Sequence, residues 1–586
     1  MKKYVPIILL ALLVTACKNS TTTDHRGALQ KLFDNYWEQR MQLFPLEATG
    51  NGDNRYNDKM TITIAESFRD SLKHFYEQQL AGLAKIDSSK LMDEEKLSYS
   101  LFNYEMEMSL EGLKYPSHYI PTNQFWGLTL DLPQLGSGKG NQPFKTVKDY
   151  QDFAKRMSVF PAWADTAIYN MRNGIAKGWV LPKSLVVKIM PQLSAMVVKD
   201  VKESIFYQPV KDIPEKFSPE DKQAITTTYE KMITDDVIAP YKKLYDFFEK
   251  EYLPNARTTS GIGAVDKNYY NYLVRNWTTT DLTPDSIYNL GLSEVARIEA
   301  EMNKVKDETG YKGSLQNFFK FVNTAPQFYP FSTAQEVIDS FWRIQKREEP
   351  MVLKSFNHIP TTEFTIRQTE KFREASASAE YNPGSEDGTR PGIFYVPVPD
   401  AKKYNASAME TLFLHEAIPG HHYQVSLAQE NKNLPKFRRF IWYGAYGEGW
   451  AMYSETLGKE LGLFTDPYQY FGHLSDAMHR AIRLVVDVAI HTKGMTREEA
   501  IAYMLAHEST SEEEATREIE RYMAIPGQAL SYKIGKLTIQ AQRHKYEQQL
   551  GAKFNLASFH DEVLKDGCVP LDILKAKLEK WAAQQK

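Results

Sequence analysis

The chain has 586 residues, of which 42% are hydrophobic and 25% are charged, and its formal net charge is −3 at pH 7. This length predicts two or three lobes, because a single hydrophobic core rarely grows so large. The charge balance gives no indication of the basic surface that binds nucleic acid, so we expect no such partner. Cys17 and Cys568 are the only cysteines, which excludes a disulfide framework and a thiolate-rich zinc site.

The N-terminus has the pattern of an export signal. Lys2 and Lys3 precede an apolar run at 4–13, which is too short to cross a bilayer, and small residues then lead to Cys17. This pattern resembles the bacterial lipobox, which implies that the signal peptide 1–16 is removed and that Cys17 carries a lipid. The alternative is an ordinary signal peptide with an incidental cysteine.

Residues 17–24 are expected to form a lipid-anchored tether, with the rest of the chain attached to the membrane only through it. Lys18 follows the cysteine where some lipoproteins carry aspartate. This resembles the sorting pattern for the outer membrane, on either its periplasmic or its surface face. The expected location is therefore the cell envelope.

Most of the chain shows the three-to-four spacing of apolar residues that predicts amphipathic helices. The clearest such segments are 24–37, 65–86, 94–113, 147–173 and 218–252, the last broken near Pro240. Residues 116–143 are rich in Pro, Gly and Asn, which predicts an irregular surface connection.

Two short apolar runs, 364–367 and 392–398, are strand candidates, and 381–391 between them is predicted to be a loop. The predicted fold is therefore mainly α, large and multi-lobed, with a small β-sheet. Residues 255–269, which include two glycines, predict a boundary between two lobes. The N-terminal helical lobe is predicted at 25–260 and a metal-binding helical lobe at 261–586.

The segment from His415 to His422 carries three imidazoles and a carboxylate within eight residues. It resembles the HExxH helix of zinc peptidases, in which two histidines on adjacent turns bind the metal and the glutamate acts on a water. Pro419 occupies the position of the second histidine, so the helix must bulge or kink there. A deformation favours His421 as the second ligand and leaves His422 in a supporting or substrate-contacting role.

A third ligand is expected from another helix. Glu448 and Glu455 are seven residues apart and share one face of an otherwise apolar helix, where a carboxylate is costly to bury unless it is paired or bound to metal. The alternative is a solvated helix edge. The glycines on either side of Glu448 indicate that another backbone approaches closely, which favours the metal site.

The chain resembles a bacterial lipoprotein family known as domain of unknown function 885, with a zinc-peptidase-like HExxxGH signature. The matching segments are 415–424, 448–455, 483–487, 526–533, 559–561 and 569–571. The resemblance implies a gluzincin-like helical architecture with a deep channel. It also implies one Zn²⁺ ion held by His415, His421 and Glu448.

The mechanism implied by this resemblance uses zinc to activate a water and Glu416 as the general base that passes the proton to the leaving amine. Tyr532 is the candidate donor to the oxyanion, and a packed core tyrosine is the alternative. Further candidates for a supporting or substrate-binding role share the same segments: Tyr453, Gln528 and Lys533.

His479, Arg483, Asp487 and His491 follow one another at four-residue spacing, which usually indicates a ladder of local ion pairs. Arg483 or His491 is alternatively a group that holds a substrate carboxylate. His560 is another candidate for the cleft, although a structural role at a helix start explains it equally well. By analogy with gluzincins, 392–396 is expected to be an edge strand that pairs with a peptide substrate.

These observations predict a zinc-dependent metallopeptidase that hydrolyses peptides or oligopeptides at the cell envelope. The alternative is a non-enzymatic lipoprotein that binds peptide or glycan, with a structural metal or none. Hydrolysis of another amide or of an ester is a third possibility. Oligomeric state and substrate preference do not follow from the sequence.

Overall fold

A computed structural model describes residues 24–371, 374, 377–384 and 390–585. The predicted signal peptide and Cys17 lie outside the described residues. The fold is mainly helical, with 69% helix and 3% strand, so the predicted fold class is confirmed.

Helices of the N-terminal half pack around one another from the first described residues onward. They are α1 His25–Leu43, α2 Pro45–Gly50, α3 Glu66–Leu83, α4 Asp93–Gly112, α5 Leu128–Gly136, α6 Val147–Met157, α7 Phe160–Lys177, α8 Lys183–Ser194, α9 Gln208–Lys211, α10 Pro219–Met232, α11 Ala239–Phe247 and α12 Lys267–Thr278.

The C-terminal half contains the two longest described helices, Pro467–Thr492 with 26 residues and Pro284–Glu308 with 25. The helices of this half are α13 Pro284–Glu308, α14 Leu315–Thr324, α15 Ala334–Ser355, α16 Met409–Glu416, α17 His421–Glu430, α18 Lys436–Phe440, α19 Gly444–Glu455, α20 Pro467–Thr492, α21 Arg497–His507, α22 Glu512–Ala524, α23 Leu530–Leu550, α24 Leu556–Leu564 and α25 Leu571–Gln584. Capping boxes start several of them, as at Thr333 and Glu336 before and within α15.

Two local predictions in the N-terminal half are wrong. The helix through Pro240 does not break, because a π-helical segment, Ile233–Ile238, precedes the proline and the Ala239 N–H donates to the Thr234 carbonyl. The connection 116–143 contains α5 and is partly buried: the Asn123 amide donates to the Ala524 carbonyl at 3.1 Å. Side-chain hydrogen bonds of this kind let a segment rich in Asn and Pro run through the interior.

The described strands form one small sheet in the order β1-β3-β2, with β1 Phe364–Gln368, β2 Glu380–Asn382 and β3 Gly392–Val396. β3 pairs in parallel with β1 and antiparallel with β2. β3 is therefore the central strand, and its prediction as an edge strand is wrong. Its largely buried, apolar pattern is typical of a central strand. β2 and β1 are the edges. β2 includes Tyr381 and Asn382, so the prediction that 381–391 is a loop is wrong for its first two residues.

Three hydrophobic cores hold the helices together. The first joins helices from α5 to α11 with α13 and α20–α22, the second surrounds the sheet, α16, α19 and α23–α25, and the third packs α1, α3 and α4. The first core draws residues from both sides of position 260, and the lobe boundary stays a prediction. α20 contributes to two cores and packs against α13 at Gly291, where an added Cβ would lie 2.8 Å from Leu484.

Among the described helices, none combines the length and the apolar character needed to cross a membrane.

Candidate metal centre and its cavity

Pro419 separates two helices instead of bending one. α16 ends at Glu416 and α17 begins at His421, and the intervening Ile418–Pro419 peptide bond is cis. Gly420 lies so close to the end of α16 that a Cβ there would be 1.9 Å from the His415 carbonyl oxygen. The predicted deformation is thus a complete break, with one histidine near the end of α16 and the other at the start of α17.

α19 fixes this break from the opposite side. The Trp450 indole N–H donates to the Pro419 carbonyl at 2.8 Å, and the Ser454 hydroxyl donates to the same oxygen at 3.3 Å. Because Glu448 is on the same helix, these contacts also set its position relative to the two histidines. α19 is in turn pressed against α23: a Cβ on Gly449 would lie 2.5 Å from the Gly535 Cα. The expected close approach of another backbone therefore occurs.

His415, His421 and Glu448 converge, with one potential ligand atom from each within 4.8 Å of the others. Glu448 Oε2 is 3.6 Å from His415 Nε2 and 3.4 Å from His421 Nε2. Zinc bound tetrahedrally at about 2.1 Å separates neighbouring ligand atoms by about 3.4 Å. The donor set and its spacing therefore fit one zinc ion.

Glu455 holds the first histidine from behind. His415 Nδ1 donates to Glu455 Oε1 at 2.8 Å, which turns Nε2 toward Glu448. The Glu455 side chain is buried, and its second oxygen is 3.6 Å from His473 Nδ1. A carboxylate behind a ligating histidine fixes the ring and raises its basicity. The sequence indicated Glu455 but not His473, which is the seventh residue of α20.

Burial and neighbouring charges both shift the pKa values of the His-His-Glu group and of Glu416. Burial opposes ionisation of Glu448, but hydrogen bonds from His415 and His421 lower its pKa far below the usual value. Burial likewise opposes the charge on His415, yet its contacts with Glu448 and Glu455 raise its pKa well above the usual value. Burial raises the pKa of Glu416, which lies beside His415 at the end of α16. A shared proton or a cation is needed to balance these carboxylates.

The three residues open onto a cavity of about 1530 Å³. Its wall includes Glu416 and Tyr532, β2 and the following turn on one side, and α20 and α22 on another. The α2 end, near 49–54, closes a further side. Of the predicted site residues, the wall therefore brings together His415, Glu416, His421, Glu448, Arg483 and Tyr532.

His422 faces the sheet instead of the metal group. Its Nδ1 accepts a hydrogen bond from the Tyr381 hydroxyl at 3.0 Å, and its ring lies 4.8 Å from that of Phe364. Burial lowers its pKa to about 4, so the ring is neutral near pH 7. Since Tyr381 is on β2 and lines the cavity, His422 supports the cavity wall from behind.

Four other candidates make structural contacts and are not part of the cavity wall in the described chain. Tyr453 donates to His560 Nε2 at 2.9 Å, which also places His560 in the core. His491 Nδ1 accepts from the Ile262 N–H, and its Nε2 donates to the Tyr522 carbonyl.

Lys533 is fully buried and pairs with Glu294 at 2.9 Å. Gln528 accepts a hydrogen bond from Arg521 at 2.9 Å. Arg521 is part of the cavity wall, whereas Gln528 is not. The contacts of Tyr453, His491 and Lys533 are with residues distant in the chain, whereas the partner of Gln528 is seven residues away.

The wall also contains residues that the sequence analysis did not single out. Trp442 is 47% exposed, and its ring lies 5.9 Å from that of His421. Arg480 and Arg521 face the cavity from α20 and α22. Arg480 follows His479, the first residue of the series that includes Arg483 on α20. This neighbouring position is the only feature of the sequence that points to Arg480.

The fold and the site together define a mainly helical protein in which a break between two helices and a third, glycine-flanked helix present a His-His-Glu group to a large cavity. The chain belongs to the family described as bacterial protein of unknown function (DUF885), whose model matches residues 45–578.

Two solved structures show the same fold. One, described as a candidate lipoprotein of Colwellia psychrerythraea, is 28% identical with a TM-score of 0.87, over 96% of this chain and 99% of that one. The other, a candidate lipoprotein of unknown function from Shewanella oneidensis, is 19% identical with a TM-score of 0.72, over 94% and 99%. A comparison with curated proteins returned no match.

Proposed function

We propose that this protein is a zinc-dependent metallopeptidase that hydrolyses peptides at the cell envelope. The observation that carries the proposal is the convergence of His415, His421 and Glu448 at one end of a large cavity, with Glu416 beside them. Two imidazoles, one carboxylate and a side open to a cavity are the arrangement of a catalytic zinc site, whereas structural zinc sites are closed by four protein ligands.

His415, His421 and Glu448 would hold the zinc ion, which would supply Lewis-acid chemistry toward a water and a carbonyl group. Glu416 accepts the proton of the attacking water and delivers it to the leaving nitrogen. Tyr532 donates its hydroxyl hydrogen to the developing oxyanion. Glu455 holds the His415 ring in place throughout, because its carboxylate is buried against Nδ1.

β2 supports a peptide as the substrate. It is an edge strand, paired on one side with β3, and all three of its residues line the cavity. An edge strand offers backbone donors and acceptors to an extended chain, and such pairing does not depend on the sequence of the bound peptide. β2 thus takes the role that the sequence analysis assigned to 392–396.

The envelope location rests on the N-terminal sequence and on the Colwellia psychrerythraea structure, which is described as that of a candidate lipoprotein. We propose that Cys17 carries the lipid anchor and that Lys18 directs the protein to the outer membrane. The soluble chain from residue 24 onward then reaches peptides in the envelope.

The test compares zinc content and peptide hydrolysis in the wild-type protein and in Glu416→Gln. The variant keeps the three ligands, so it is expected to retain about one zinc per chain and to lose hydrolysis by about 10²- to 10⁴-fold, the usual contribution of a general base. Glu460→Gln is the control, because Glu460 pairs with Arg543 away from the cavity. Absence of zinc from the wild-type protein, or undiminished hydrolysis by Glu416→Gln, contradicts the proposal.

A further inference from the structure

A group of arginines forms one wall of the cavity and has no part in the zinc chemistry. Arg480 and Arg483 are on α20, and Arg521 is on α22. The side chains of Arg480 and Arg521 are 21% and 25% exposed, whereas Arg483 is buried behind them. Of these three side chains, those of Arg480 and Arg521 are therefore partly accessible and that of Arg483 is buried.

The acidic neighbours satisfy these arginines only in part. Glu518 accepts from Arg483 at 3.0 Å and lies 3.6 Å from Arg521, so one carboxylate serves two guanidinium groups. It also lies 3.5 Å from His479 Nε2. Asp476 accepts from Arg480 Nη1 at 3.3 Å. Arg480 Nε and Arg483 Nη1 are buried and have no hydrogen-bond acceptor among the described residues.

Buried guanidinium donors are rarely left without an acceptor. Arg480 and Arg483 both line the cavity, so an anion bound there is a candidate acceptor for their side chains. The rest of the wall has the same charge bias. Among the described wall residues, seven are cationic and four are anionic: Lys145, Arg390, Lys432, Arg439, Arg480, Arg483 and Arg521 against Glu380, Glu416, Glu448 and Glu518. The chain as a whole is acidic, so the cavity differs from the average surface.

The arginine group and the metal centre line the same cavity. The Arg483 guanidinium carbon is 4.8 Å from the centre of the Tyr532 ring. Tyr532 is one helical turn before Gly535, and Gly535 touches Gly449, the neighbour of Glu448. Tyr532 lines the same cavity as the arginines and the His-His-Glu group, so one ligand in this cavity can contact both.

We propose that Arg480, Arg483 and Arg521 form a subsite for the C-terminal carboxylate of a peptide, so that the cavity takes peptides by their C-terminal end. This inference rests on the proposed peptidase function. A planar carboxylate matches the fork of an arginine, and the enclosed position of Arg483 strengthens the interaction. Because the arginines and the metal centre line one cavity, a peptide held by its C-terminal carboxylate is presented to the metal centre.

The test is direct binding of three alanine-based tetrapeptides to zinc-loaded Glu416→Gln protein by calorimetry: one with a free C-terminal carboxylate, one with a C-terminal amide, and one with a C-terminal glutamate amide. We expect the amide to bind about 10- to 100-fold more weakly than the free acid. Equal affinity for the first two peptides, or binding of neither, overturns the proposal. Recovery of affinity by the glutamate amide shows that the subsite takes a side-chain carboxylate instead of the C-terminal one.

Arg480→Gln and Arg521→Gln are each expected to reduce the preference for the free acid to a few-fold. Arg497→Gln is the matched control. The Arg497 side chain is 23% exposed and pairs with Glu520, which is on α22. If both arginine variants keep the full preference for the free acid, the assignment is overturned. The comparison of the three peptides uses protein in which all three arginines are intact, so it does not depend on whether the arginine variants fold.

The outcomes separate this inference from the proposed function. Carboxylate-dependent binding without hydrolysis by the wild-type protein supports the subsite and contradicts the peptidase. Hydrolysis of the acid and the amide at equal kcat/KM supports the peptidase and contradicts the subsite.

Discussion

Glu455 offers a direct measure of how strongly the helix scaffold supports the metal centre. Glu455→Gln preserves the shape of the side chain and leaves an oxygen that accepts from His415 Nδ1, but it removes the negative charge. The hydrogen bond is 2.8 Å long and wholly buried, and a charged hydrogen bond of this kind contributes about 1.5 to 3 kcal/mol. Because the glutamine keeps a neutral bond, we expect a loss of about 1 to 2 kcal/mol of zinc-binding free energy, or about 5- to 30-fold in affinity.

The assay is competition for zinc between the protein and a chromophoric chelator at fixed pH. Glu460→Gln is the control, since it removes a charge from the Arg543 pair outside the cavity. A wild-type affinity in Glu455→Gln would refute the argument that the carboxylate acts on zinc through His415. A similar loss in both variants would show a general effect of charge instead.

Two further predictions concern stability. His491 is neutral in the folded protein, because burial lowers its pKa from 6.5 to about 3. Because the pKa of His491 is lower in the folded than in the unfolded protein, the neutral ring contributes its stability in full above pH 6.5, and this contribution is lost as pH falls from 6.5 toward 3. Urea unfolding at several pH values is therefore expected to show a shallower acid dependence in His491→Gln than in the control His544→Gln, and identical slopes would contradict the prediction. Gly535→Ala places a Cβ 1.8 Å from the Ala445 carbonyl oxygen, so we expect a loss of about 1 to 3 kcal/mol in the same assay; unchanged stability would show that α19 and α23 separate easily.

The sequence predicted the convergent residues because their chemistry is local. The HExxxGH spacing and the effect of Pro419 favoured His421 over His422, and the glycines around Glu448 indicated a close helix contact. The effects of Pro419 and of the glycines follow from helix geometry, whereas the HExxxGH pattern was supplied by the family resemblance. The structure brings the same three residues together.

Other features depend on partners far along the chain and were not predictable in this way. β2 has three residues and no recognisable alternation, so its pairing with β3 is visible only in the fold. Lys533 and His491 have polar side chains that suggested a site, but in the interior Lys533 pairs with Glu294 and the Ile262 N–H donates to His491.

The central claim is that His421, not His422, completes a zinc site with His415 and Glu448. Zinc content per chain, measured by mass spectrometry on purified wild-type, His421→Ala and His422→Ala proteins, tests it most directly. The two variants remove the same side chain from adjacent positions, and only His421 lies in the His-His-Glu group. We predict about one zinc per chain in the wild-type and His422→Ala proteins and less than about a tenth of that in His421→Ala. Full zinc in His421→Ala, or loss of zinc only in His422→Ala, would contradict the account.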